Sequence, residues 1–275
     1  GFARINLEGS IYKSLSIPIT ANRFNLISTY LYPKYNNIAS IFGNLSNLKI
    51  VYEDNGSAYI PEYGINTIGD IDITEGYHLF IADDDQELVF EGMSIDPQNW
   101  QIILNKNQFN SVAYLYDSPM SVEYAFSDIV DYIEIIQDDG GGAWIPSMEI
   151  NTIGDLQPLS GYQVFTNAEN NLTFTYPSQQ KGIAKEEAIA FKKPIPPSHF
   201  QYTETGLPYT VIITSALMDN HPFENGDEVG IFYDGNCVGA TVWDSDKVNI
   251  ITAWKGNEAV SYTHLRAHET SLHLV

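Results

Sequence analysis

Apolar and β-branched residues fall in short runs along this chain, and the runs are separated by Asp, Asn and Gly. Asn25 to Tyr32 and Ser111 to Tyr116 read as strands by that composition. The segments that follow, Asn36 to Leu45 and Ser121 to Val130, lack alternation. They place Ile38, Ile41 and Phe42 with Leu45, and Val122, Ala125 and Phe126 with Ile129, at helical spacing, which predicts one short amphipathic helix in each. A buried strand is expected next, at Leu48 to Tyr52 and at Tyr132 to Gln137. Asp54-Asn55-Gly56 and Asp138-Asp139-Gly140-Gly141-Gly142 then supply the positive φ angles of a tight hairpin. Further strands are expected at Leu88 to Glu91 and Leu172 to Tyr176.

The pairs in that description are copies. Ala58-Tyr59-Ile60-Pro61, Ile65-Asn66-Thr67-Ile68-Gly69-Asp70 and Gly76-Tyr77-His78-Leu79-Phe80 return at a constant offset of 85 residues. The second set reads Ala143-Trp144-Ile145-Pro146, Ile150-Asn151-Thr152-Ile153-Gly154-Asp155 and Gly161-Tyr162-Gln163-Val164-Phe165. A fixed period is the mark of a repeat architecture. The fold expected is mostly β, of the α+β kind, with two tandem repeats at 11–92 and 93–177, each a small antiparallel sheet with one short helix. The Asn-Thr-Ile-Gly-Asp glycine is expected to take a backbone conformation closed to other residues.

Outside the repeats, residues 1–10 echo the end of the first unit and are expected to form the last strand of a preceding repeat. A Lys- and Pro-rich linker is expected at 178–198, with a helical turn at Lys185 to Phe191. A third region at 199–260 carries strand signals at Val211 to Thr214, Glu228 to Tyr233, Cys237 to Trp243 and Val248 to Ala253. With a hairpin at Asp234-Gly235-Asn236, these predict a truncated β-sandwich. The style changes at 261–275, which resembles a translated sequencing adapter, so His264, His268 and His273 support no metal or catalytic role.

Composition narrows the partners. A net charge of −22 over 275 residues disfavours nucleic acid and anionic membrane surfaces. No apolar run approaches the roughly 18 residues of a membrane helix, and the one cysteine, Cys237, excludes an intrachain disulfide. On its predicted strand Cys237 reads as a small buried residue before it reads as a nucleophile.

The succession of Trp100, Asp131 to Ile136, the acid and glycine turn, Ala-Trp-Ile-Pro, Asn-Thr-Ile-Gly-Asp-Leu and Gly-Tyr-Gln-Val resembles the repeats of large secreted and surface proteins exported by the type IX secretion system. Gly226 to Phe232 and Cys237-Val238-Gly239-Ala240 resemble the β-domain that often follows those repeats. The resemblance implies export and surface display, and it brings no catalytic residues. Leu15 stands where the second unit has Trp100.

Two kinds of site are candidates. Aromatic faces can stack on sugar rings, and Tyr59 with Trp144, and Tyr77 with Tyr162, hold equivalent positions; the competing reading is that repeated aromatics are core. Calcium needs six to eight converging oxygens, for which Asp83, Asp84, Asp85, Asp138 and Asp139 are candidates; the competing reading is solvated hairpin turns. Neither a nucleophile elbow nor a zinc-protease pattern occurs, and no enzyme or cofactor beyond calcium is expected. The sequence therefore points to a non-catalytic extracellular or cell-surface region acting in adhesion, spacing or ligand display, with polysaccharide or protein partners and neighbouring repeats of its own chain. The alternative is an accessory carbohydrate-binding region of a polysaccharide-degrading enzyme.

Overall fold

A computed structural model describes residues 11–179, 196–218 and 221–256. The expected strand at 1–10, the helical turn at 185–191 and the tail at 261–275 lie outside the described residues. The chain is mostly β, built from several antiparallel sheets. No helix among the described residues is long and apolar enough to cross a membrane.

The first unit contains β1 (Lys13–Ile19), β2 (Phe24–Ile27), β3 (Leu31–Pro33), α1 (Ile38–Phe42), β4 (Leu48–Tyr52), β5 (Ala58–Ile60), β6 (Ile65–Asn66), β7 (Tyr77–Ile81) and β8 (Gln86–Ser94). The second contains β9 (Ile102–Leu104), β10 (Phe109–Ala113), β11 (Met120–Ser121), α2 (Val122–Ala125), β12 (Ile133–Gln137), β13 (Ala143–Ile145), β14 (Ile150–Asn151), β15 (Asp155–Leu156), β16 (Gly161–Thr166) and β17 (Leu172–Phe174). Each unit has a five-stranded antiparallel sheet, in the order β2-β7-β4-β5-β6 and β10-β16-β12-β13-β14. The two orders are equivalent strand for strand, and a register shift falls at equivalent places, Leu48/Ile50 and Ile133/Ile135.

The strand runs have a physical basis. β7 is buried at every position, so it reads as an unbroken apolar run and sits inside its sheet. One face packs on a core of Ile17, Leu31, Ile38, Phe42, Val51 and Leu79 in the first unit, and of Leu104, Phe126, Ile136, Trp144 and Val164 in the second. Burying each such side chain contributes about 1.5–3 kcal/mol. The Asn-Thr-Ile-Gly-Asp glycine behaves as expected: Gly69 and Gly154 have φ of 77° and 71°.

Two expectations are corrected. The run at 25–32 is not one strand, because Ser28 turns its N–H to Leu159 O (2.9 Å) and Leu31 takes Thr29 Oγ1 as acceptor (3.1 Å). The chain then resumes as β3 in another sheet, ordered β1-β8-β3. The second helix is also shorter than its pattern. α1 is capped by the Asn37 side chain accepting from Ala39 N–H (3.1 Å), whereas Ser121 makes no such bond before α2. Ser127 Oγ donates to Tyr124 O (3.0 Å), and the chain continues as a 3-10 turn over Ser127–Tyr132.

The third region holds β18 (Pro208–Ile213), β19 (Leu217–Met218), β20 (His221–Pro222), β21 (Glu228–Tyr233), β22 (Asn236–Val242) and β23 (Asn249–Trp254). Pairs β18-β23 and β21-β22 share a core of Val229, Ile231, Trp243, Ile251 and Ala253, which fits a sandwich. This region is docked on the repeats: Phe24 N–H donates to Thr205 O (2.8 Å), Gln137 Nε2 to Thr210 Oγ1 (2.5 Å) and Thr252 Oγ1 to Gly141 O (3.1 Å).

Candidate functional site

The aromatics chosen by repetition are mostly interior. Tyr77, Tyr162 and Trp144 are 1%, 2% and 4% exposed, so their rings pack in the interior. Each tyrosine also pins a loop: the Tyr77 phenol oxygen accepts from Asp72 N–H (2.7 Å), and that of Tyr162 from Gln157 N–H (2.7 Å). A phenol buried among apolar groups and given one backbone donor holds the Gly-Tyr loop at a fixed distance from the sheet. Tyr59 is half-buried and packs against the first core.

Four of the acidic candidates accept hydrogen bonds, three from backbone amides and Asp83 from a side-chain amide. Asp83 accepts from Asn47 Nδ2 (2.7 Å) and Asp85 from Ala21 N–H (2.7 Å), both in the turn between β7 and β8, where Asp84 is exposed. Asp138 accepts from Gly142 N–H (2.6 Å) and Asp139 from Leu26 N–H (3.0 Å). No group of three or more His, Cys, Asp or Glu suited to a metal occurs among the described residues. These carboxylates shape turns and a junction. Cys237 is half-buried on β22, with Sγ 3.5 Å from Gly239 O.

The most ordered polar arrangement lies where the units meet, on the free edges of β2 and β10. Ser28 N–H donates to Leu159 O (2.9 Å), and Ala113 N–H donates to Thr74 O (3.0 Å). Ile27 bridges Ser160 while Val112 bridges Glu75. Leu26 N–H donates to Asp139 Oδ2 (3.0 Å) while Ser111 N–H donates to Asp54 Oδ2 (2.8 Å). Each contact maps onto its partner by the 85-residue offset with the roles of the units exchanged. At the centre the equivalent residues His78 and Gln163 touch, with Nε2 of each 3.2 Å apart. Equivalent positions meeting one another define a two-fold relation, here within one chain. Leu26 wedges into this junction, and a Cβ on Gly161 would lie 2.9 Å from Leu26 Cγ, so that position has no room for a side chain.

Electrostatics break the symmetry. Asp139 faces Arg23 at 3.7 Å, and burial raises its pKa against the opposing pull of the Leu26 N–H and the guanidinium. The residue equivalent to Arg23 is Gln108, so no ion pair reaches Asp54 among the described residues. Burial raises Asp54, and burial together with the charges of Asp54, Asp72 and Glu53 pushes Glu75 up to about 8. His78 lies flat on Tyr52, with centroids 4.8 Å apart, and its burial lowers its pKa to about 4. The Gln163 amide donates to His78 Nε2, which places the proton of the neutral ring on Nδ1, a buried atom without a hydrogen-bond partner.

A cleft of about 300 Å³ opens on the outside of the same joint. Lys13 and Tyr30 come from the first unit, Ser94 and Asp96 from the connection, and Tyr116 and Asp117 from the second unit. β8 fixes one wall, since Ser94 is paired with Leu31; the next pair, Met93 with Tyr32, points to the other face of the sheet, where Tyr32 is exposed. There the rings of Tyr32 and Trp100 lie 6.0 Å apart and are inclined by only 30°. Beside them Lys34 stands 5.4 Å from the ring centres of both Tyr12 and Tyr35 and pairs with Glu91 at 2.7 Å. Repetition could not have found this cleft, because its residues do not repeat: Tyr30 is matched by Leu115, and Asp117 by Tyr32. A cleft at a domain joint with convergent phenols and carboxylates can hold a small polar ligand by hydrogen bonds and ring contact.

Neither a family model, nor a curated protein, nor a solved structure matches this chain.

Proposed function

We propose that this chain is a non-catalytic extracellular repeat region of a large secreted or surface-displayed bacterial protein, acting in adhesion, spacing or ligand display. The observation that carries this reading is the reciprocal junction of β2 with the second unit and β10 with the first. Its polar groups are spent on holding two repeats as one body, which is what a spacer or display scaffold requires. The third region adds to that body by docking on both units through Phe24, Gln137 and Gly141. The resemblance of the repeats and the following β-domain to type IX cargo supports export.

Surface labelling of intact cells of the source bacterium, read with an antibody to this chain, tests the proposal. Labelled or released protein is the expected result. Protein reached only after lysis would overturn it.

A further inference from the structure

The cleft between the units favours one chemical class of ligand. Asp96 and Asp117 face a single cation, Lys13, within a chain of net charge −22, so anionic polymers and phosphates are repelled. Asp96 is already engaged, its carboxylate accepting from Gln98 N–H (3.1 Å) and Asn99 Nδ2 (3.4 Å), which leaves too few oxygens for a hard cation. A purely apolar ligand would strand the carboxylates and the ammonium. A neutral sugar strands none of them. Its hydroxyls can donate to Asp117, its oxygens can accept from Lys13 and Ser94, and its C–H face can rest on the ring of Tyr30 or Tyr116. The volume of about 300 Å³ is at the small end of ligand pockets and suits one sugar ring.

We propose that this cleft binds a neutral polysaccharide by one of its sugar residues. The proposal rests on the surface-display reading and gives it a ligand class. Asp117 and Lys13 are exposed, so neither substitution empties a core.

The test is affinity electrophoresis of the full chain through gels containing neutral polymers (β-glucan, mannan, xylan) or anionic ones (alginate, polygalacturonate). Retardation by at least one neutral polymer is expected, weakened about tenfold or more in Asp117→Ala and in Lys13→Ala. The melting temperatures of both variants should stay at the parent value. Absence of retardation in every neutral gel overturns the proposal, as does retardation that both variants retain in full. Retardation confined to the anionic gels overturns it equally. Cell-surface labelling separates the two ideas: a surface-exposed chain that binds no neutral polymer defeats the cleft alone, and a chain that binds but stays inside the cell defeats display alone.

Discussion

The two ends of the repeat junction use the same backbone and different charges. At one end Asp139 receives the Leu26 amide with Arg23 beside it; at the other Asp54 receives the Ser111 amide amid Glu53, Asp72 and Glu75. The difference shows that the two-fold contact is a property of strand edges and turns, which hydrogen-bond without regard to side-chain identity. Charge is then free to diverge. The third region docks at the Arg23 end, where Phe24 is 1% exposed, while its counterpart Phe109 at the other end remains half-buried.

The sharpest way to break this comparison is at its wedge. Leu26→Ala should cost about 2–5 kcal/mol, because Leu26 is buried against Gly76 and Gly161. Ser111→Ala, at the equivalent position, should cost about 1 kcal/mol, the value of a hydroxyl contact to His78. Chemical denaturation of both variants checks the contrast. Next, Arg23→Ala should cost about 1–3 kcal/mol by leaving Asp139 without its cation and the Asp139 carbonyl without a donor. Gln108→Ala should stay within about 0.5 kcal/mol. Equal losses at positions 23 and 108 would refute the electrostatic asymmetry.

The pH dependence sharpens the contrast further. Glu75 has a folded pKa of about 8, above its ordinary 4.5, so folding takes up a proton and this contribution to stability grows as pH falls from 8 toward 4.5. His78 has a folded pKa of about 4, below its ordinary 6.5, so its contribution is intact above 6.5 and is lost as pH falls toward 4. The melting temperature should therefore rise from pH 8.5 to about 6.5 and level off between about 6.5 and 4.5, where the two contributions oppose each other with equal slope. Glu75→Gln should flatten the alkaline side and raise stability at pH 8. The smallest change is expected of His78→Gln, which copies Gln163 and should let the rise continue below pH 6.5 instead of levelling off. Thermal melts of both variants across pH 4–9 would show whether either group is responsible.

The hairpins, the strands that follow them and the Gly69 and Gly154 loops were legible in the sequence, because each depends on local chemistry written twice. Identity between copies marked what the fold needs, and so Tyr77, Tyr162 and Trp144 proved to be interior. Ligand-facing chemistry has no reason to repeat, and the cleft drew on Lys13, Tyr30, Asp96 and Asp117, which no period relates. The junction was hidden for a different reason. Its amides and carbonyls carry no sequence signature, and its side chains differ between copies: His78 against Gln163, Leu26 against Ser111, Glu75 against Ser160. The second helix fell short of its pattern because apolar spacing says nothing about the Ser127 hydroxyl that takes the Tyr124 carbonyl.

The pairing of β1 with β8 has a mechanical consequence. These strands run antiparallel through seven register pairs, from Lys13 with Gly92 to Ile19 with Gln86, so the chain enters and leaves the first unit at the same end of one ribbon. Tension applied between Lys13 and Ser94 would load the Lys13–Gly92 end of this ribbon together with the Leu31–Ser94 end of the β3–β8 pairing, and open both rung by rung. Each rung resists with about 1 kcal/mol, whereas strands pulled in shear must break their rungs together. Such a tether would lengthen under modest force and zip closed when the load is released, so the first unit would act as an extensible link between whatever its two ends are fixed to.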